Sequence, residues 1–144
     1  MIAIGSDHGG FALKAEIMEH LEKRGFAYQD FGTYSEESCD YPVYGRAVAK
    51  AVAAGEYEFG ILICDTGIGV SITANKVPGI RAALCGDCFS AQATREHNDA
   101  NILALGARVT GPGLALKIVD TFLDTPFSGE ERHARRISMI EESP

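Results

Sequence analysis

The chain of 144 residues predicts an α/β fold, a three-layer α/β/α sandwich around a five-stranded parallel sheet. Two observations predict it. Short apolar runs alternate with longer stretches of helical periodicity, the pattern of successive strand–helix units. The central run, "FGILIC" at 59–64, is apolar throughout, as a strand covered by helices on both faces requires.

Each element has its own signal. "MIAIGSD" at 1–7 reads as a short buried strand ending in a turn. From Phe11 onward Leu13, Ile17 and Leu21 recur every four residues with Met18 beside them, whereas Lys14, Glu16, Glu22 and Lys23 fall elsewhere. That spacing predicts an amphipathic helix with a solvated charged face, ended by Gly25. "FAYQDFG" at 26–32 is a second strand. Asp40-Tyr41-Pro42 opens an alanine-rich helix reaching Ala54, with proline in the first turn, where its missing N–H is tolerated. After "FGILIC" a helix is expected over Val70 to Lys76. "IRAALC" at 80–85 precedes a helix from Asp87 to Glu96, and "NILALGA" at 101–107 precedes one from Gly113 to Leu123. Gly129 to Glu142 reads as a last helix. No repeat, low-complexity stretch or long linker divides this Rossmann-like order. The expectation is one domain over 1–144, with 129–144 a helical tail.

Composition narrows the function. Hydrophobic residues make up 46% and charged residues 23%, which is globular rather than disordered. Thirteen basic residues against 20 acidic give a net charge of −7, the wrong sign for a dedicated nucleic-acid binder. No apolar run approaches the ~20 residues of a membrane span, and no secretory signal leads the sequence. A cytoplasmic location is therefore expected. Of the cysteines at 39, 64, 85 and 88, Cys85 and Cys88 form a lone C-x-x-C. It lacks the second ligand pair of a structural zinc site.

Three polar clusters attract attention. In open α/β sheets ligands sit beyond the carboxyl ends of the strands, and the three clusters are read along that edge. The third lies at a helix end, however, and its chain position alone does not join it to the other two. The first, "GSDHGG" at 5–10, is either an anion-binding turn or a tight connection in which Asp7 caps a helix. The second, "CDTGIG" at 64–69, lacks the third glycine of a dinucleotide fingerprint and the final glycine of a nucleophile elbow. What it retains is a small-residue run from strand to helix, which exposes backbone donors to a phosphate or an oxyanion. Cys64 on its own reads first as a small buried hydrophobe, and the adjoining Asp65 disfavours a thiolate. The third, "REHNDAN" at 95–101, carries His97 and Asn98. Its histidine is either a helix C-cap or an acid–base group. Further on, Arg132 and Arg136 are four residues apart and share a helix face, two guanidinium forks suited to one phosphate.

Taken together these segments resemble the B-type ribose-5-phosphate isomerases and their galactose-6-phosphate isomerase relatives. The likeness is carried by "GSDHGGFALK" at 5–14, "DYPVY" at 40–44, "ICDTGIGVSITANK" at 63–76 and "GIRAAL" at 79–84. It continues through "SAQATREHNDANILALGARV" at 90–109 and "RHARRI" at 132–137. The resemblance implies aldose–ketose isomerisation of a sugar phosphate through ring opening and an enediolate, without metal or organic cofactor. Ribose 5-phosphate to ribulose 5-phosphate is the first expectation. It also implies a homodimer, or a tetramer built from it, with active sites shared between subunits.

By position, Cys64 corresponds to the base that moves a proton between two carbons. Thr66 and the backbone from Gly67 to Gly69 correspond to the enediolate donors. His97 matches the ring-opening residue, and Asp7 its partner in handling hydroxyl protons. His8, Arg108, Arg132 and Arg136 match phosphate contacts, with His133 a less direct match beside them; Asn98 matches a substrate hydrogen-bonding position. Asp65 departs from the family pattern, in which glycine is usual. This carboxylate is expected to point away from the oxyanion, into a subsite for substrate hydroxyls or toward an arginine. It raises two alternatives: the same chemistry on a tetrose or hexose phosphate, or a phosphosugar-binding protein without turnover.

Overall fold

The computed structural model describes residues 1–142; Ser143 and Pro144, the end of the expected tail, lie outside the described residues. In chain order the elements are β1 (Ile2–Ser6), a single 3-10 turn (His8–Gly10), α1 (Phe11–Lys23), β2 (Tyr28–Asp30), α2 (Tyr41–Ala53) and β3 (Phe59–Cys64). They continue with α3 (Ile68–Ala74), β4 (Ala82–Leu84), α4 (Cys88–Asn98), β5 (Ile102–Gly106), α5 (Pro112–Asp124) and α6 (Glu131–Glu141). The strands form one parallel sheet in the order β2-β1-β3-β5-β4, the α/β architecture expected. Among the described residues no helix is long and apolar enough to cross a membrane.

Strand alternation sorts the core into two layers. Ile2, Ile4, Ile61, Ile63, Leu103 and Leu105 pack with α1, α4 and α5 on one face. Ala3, Leu62, Cys64, Ile102 and Ala104 pack with α2 and α3 on the other. The central strands are therefore buried on both sides, which explains their unbroken apolar runs. The edge strands are shorter than their sequence runs suggest: β2 and β4 have three residues each. Gly32, at φ 94°, turns the chain after β2.

Lys14 corrects the expected charged face of α1. Its side chain is 0% exposed, and its Nζ donates to Asp30 Oδ1 and to the Thr33 carbonyl, both at 2.6 Å. A buried ammonium costs several kcal/mol unless it is paired and hydrogen-bonded. Here the carboxylate, the carbonyl and the nearby rings of Phe11 and Tyr34 supply that pairing. Helical spacing cannot register this, because the partners come from the segment after β2. That segment in turn exchanges backbone hydrogen bonds with Ser6, so Lys14 steadies the exit of β1.

The chain leaves β1 toward β2 on one side and reaches β3 on the other, so a crevice opens between the carboxyl ends of β1 and β3. The topology also corrects one placement. "REHNDAN" lies at the amino edge of the sheet. Helix α4 starts beyond the carboxyl end of β4 and must return across the layer before parallel β5 begins. Its 11 residues span about 16 Å at ~1.5 Å per residue, a full traverse.

Candidate active site

The β1/β3 crevice holds the first two clusters. Asp7 leaves β1 buried, and its Oδ1 accepts the Gly10 N–H at 3.1 Å. The two readings of this turn are thus compatible: the capping carboxylate also lines the crevice. His8 accepts the Cys39 N–H on Nδ1 at 3.2 Å. With Nδ1 occupied as an acceptor, the neutral ring carries its proton on Nε2 and has a donor to offer.

Cys64 ends β3 at 5% exposure, and its Sγ accepts the Gly67 N–H at 3.1 Å. Beside this bond Gly67 adopts φ 79°, the left-handed conformation in which the chain turns from β3 into α3. Only glycine fits, since a Cβ there would meet Leu84 Cδ1 at 2.5 Å and Leu105 C at 2.8 Å. The loop then enters α3, where the Ile68 N–H reaches Thr66 Oγ1 at 3.2 Å. At Gly69 a Cβ would lie 2.5 Å from the Tyr41 ring. Tyr41, in the first turn of α2, therefore closes one side of a crevice of about 420 Å³, in the range of small-molecule sites; Ile68 and Ile72 complete its rim.

Tyr41 was legible in sequence only as part of a helix start. Its position at a carboxyl-edge helix N-terminus, next to Pro42, is the signal that marks it. Asp65 leans over the His8–Gly10 turn. Its Oδ1 occupies the space a Gly9 Cβ would need, with Cγ 2.9 Å and Asp7 Oδ1 3.4 Å from that point. It faces β1, away from Gly67, which packs against Leu105 of β5. Arg108 sits at the same edge, its N–H bonded to the Asp65 carbonyl at 3.0 Å.

The remaining predicted residues form a second group. His97 and Asn98 end α4 exposed to solvent. The ring of His133 from α6 stacks on His97, centroids 4.4 Å apart and planes 19° from parallel. His133 is buried, and that burial, followed by the neighbouring His97 and Arg132, holds its pKa below the usual histidine range. Arg132 pairs with Glu130 at 2.9 Å, and Arg136 stands exposed one turn further along. Arg81 ties the group together. Its Nε and Nη2 donate to the Asn98 and Asp99 carbonyls at 2.9 Å, and its Nη1 pairs with Glu141 of α6 at 2.6 Å.

The two groups do not meet within one chain. Cys64 and Gly106 are paired at the carboxyl end of β3 and β5, whereas His97 precedes the amino end of β5. Five residues of strand at ~3.3 Å each place the two edges about 16 Å apart. Among the described residues no group of three or more His, Cys, Asp or Glu is placed to hold a metal ion.

Comparison with known proteins adds independent findings. The profile of a family described as ribose/galactose isomerase matches residues 2–140. Ribose-5-phosphate isomerase B of Escherichia coli is 53% identical over 139 residues, covering 96% of this chain and 93% of the relative. The galactose-6-phosphate isomerase subunit LacB of Clostridium acetobutylicum is 41% identical, covering 99% of this chain and 82% of the relative. A solved structure of Clostridium thermocellum ribose-5-phosphate isomerase B is 60% identical and superposes with a TM-score of 0.96, covering 98% of this chain and 95% of that one.

Proposed function

The chain belongs to the ribose/galactose isomerase family, and on that premise we propose that it interconverts ribose 5-phosphate and ribulose 5-phosphate. One observation carries the chemistry: a buried thiol at a strand end, held by the Gly67 N–H and facing Asp7 across a crevice of substrate size. Cys64 removes the proton beside the carbonyl and returns it to the neighbouring carbon. Negative charge then builds on oxygen, where Thr66 and the amides from Gly67 to Gly69 provide fixed donors; one such donor is typically worth about 2.7–4 kcal/mol. Asp7 takes up and returns hydroxyl protons, and His8 offers Nε2–H to the phosphate.

Ring opening is a separate proton transfer and falls to His97, with Asn98 as a hydrogen-bonding partner. Arg108, Arg132 and Arg136 grip the phosphate, converting its binding energy into positioning of the reacting carbons. Because the two groups lie at opposite edges of one chain, a second copy is required to set the His97 edge of one subunit against the Cys64 edge of the other. We therefore read the working form as a cytoplasmic homodimer with shared sites. Each step is a proton transfer within reach of a side chain, so the chemistry asks for no cofactor.

The test is a coupled isomerase assay with ribose 5-phosphate, comparing wild type with Cys64→Ala. Full activity in the variant would remove Cys64 as the base. Binding of sugar phosphate with no turnover in wild type would favour a binding protein instead.

A further inference from the structure

Asp65 is the crevice residue whose purpose the isomerisation chemistry leaves unexplained. Its main chain is fixed, with the carbonyl accepting the Arg108 N–H at 3.0 Å. Its side chain turns toward β1 and fills the space left open by Gly9. Asp7 Oδ1 lies 3.4 Å from that same point and is already engaged by the Gly10 N–H. Among the described residues nothing donates to the Asp65 carboxylate. Two carboxylates thus lie close together in an arrangement that only a residue 9 without a side chain permits.

The other wall is opposite in character. Gly67 packs toward Leu105 of β5 with its N–H held by the Cys64 sulfur. The Thr66 hydroxyl, which accepts the Ile68 N–H, and the first-turn Gly69 N–H remain as donors. The crevice therefore has an acceptor wall and a donor wall on either side of the Cys64 sulfur. An open-chain sugar phosphate matches both, since its hydroxyls donate and its carbonyl oxygen accepts.

We infer that Asp65 is a specificity-determining residue: beside Asp7 at Gly9, it accepts substrate hydroxyl hydrogen bonds and weakens the binding of ligands that place negative charge against that acceptor wall. The inference rests on the isomerase reading above, deepens it, and makes Gly9 the structural complement of Asp65.

Calorimetric titration with two probes tests it: ribitol 5-phosphate, neutral at carbon 1, and ribonate 5-phosphate, which carries a carboxylate there. The wild-type ratio of the two Kd values is the reference. Asp65→Asn, of the same shape without the charge, should shift the ratio of the two Kd values about ten-fold toward ribonate 5-phosphate, and Asp65→Gly should act in the same direction. Gly9→Ala should do likewise by displacing the carboxylate, and should add nothing in an Asp65→Gly background. A ratio unchanged within about two-fold in Asp65→Asn overturns the inference, and that variant alone decides if Gly9→Ala fails to fold. A shift that appears only with divalent cation present would assign the pair to a metal and overturn it equally. If wild type isomerises ribose 5-phosphate while the ratio stays put, only this inference falls. If it neither turns over nor binds sugar phosphate, the isomerase reading falls first.

Discussion

The two edges of the sheet are built by different means. At the carboxyl edge, chemistry is held by main chain: the Cys64 sulfur meets the Gly67 amide, Asp7 meets the Gly10 amide, and glycine turns bring the strands' exits together. At the amino edge it is held by side chains: His97 stacks on His133, Arg81 bridges α4 and α6, and Arg132 leans on Glu130. A main-chain site is rigid because moving it means moving a strand. A side-chain site is adjustable, and its strength follows pH and salt. The contrast suits the proposed chemistry, with the enediolate held by fixed donors at the carboxyl edge and the phosphate gripped by His8 and Arg108 there and by Arg132 and Arg136 from the other edge.

The largest effect should come from the carboxyl edge. Cys64→Ala is expected to lower kcat on ribose 5-phosphate by about 10³-fold, within the usual range of general-base contributions, while losing about 1 kcal/mol of stability as the Gly67 N–H loses its acceptor. Next, Gly67→Ala should cost about 3 kcal/mol of stability in urea titration, combining left-handed backbone strain with overpacking against Leu84 and Leu105. Gly25→Ala supplies the control: it shares a positive φ of 78° but has nothing within 4 Å, so it should cost only about 1 kcal/mol. Equal losses at the two glycines would mean that the close approach at Gly67 is immaterial.

The amino edge should respond more mildly. Arg136→Ala is expected to raise KM by roughly 10-fold, the scale of one charge-assisted hydrogen bond, with kcat little altered. Added salt should erode the wild-type advantage. The smallest effect is pH-linked. His133 is held below its ordinary pKa of 6.5, so the folded state binds fewer protons than the unfolded one as pH falls through that value. Stability from this group is full above 6.5 and is lost at lower pH. His133→Gln should therefore flatten the acid limb of a Tm-against-pH curve; an unchanged limb would show that His133 does not sense pH.

How much of this was visible beforehand varies from element to element. β3 and α1 announced themselves because an apolar run and a four-residue repeat are local properties. β2 and β4 came out shorter because edge pairing, not residue type, sets where they end. The Cys64 loop was placed correctly by its position after β3, and so was the Asp7 turn after β1. His97 lies at the opposite edge, since a motif just before a strand sits at that strand's amino end once the preceding helix has returned; a helix-end motif does not reveal this by its chain position. Tyr41, Lys14 and the lean of Asp65 depend on partners distant in sequence: Gly69, Asp30 and Gly9 respectively. No periodicity encodes such contacts.

Lys14 has one further use. Lys23, Lys50, Lys76 and Lys117 are all exposed, while Lys14 is sealed beneath the segment after β2. In the native protein an amine-acylating reagent should label these four side chains and the exposed α-amine of Met1 within minutes and spare Lys14. Slow acylation of Lys14, located by peptide mass spectrometry, would then time the opening of the chain around the exit of β1. The buried ammonium serves as a built-in clock for the motion that lifts the segment after β2.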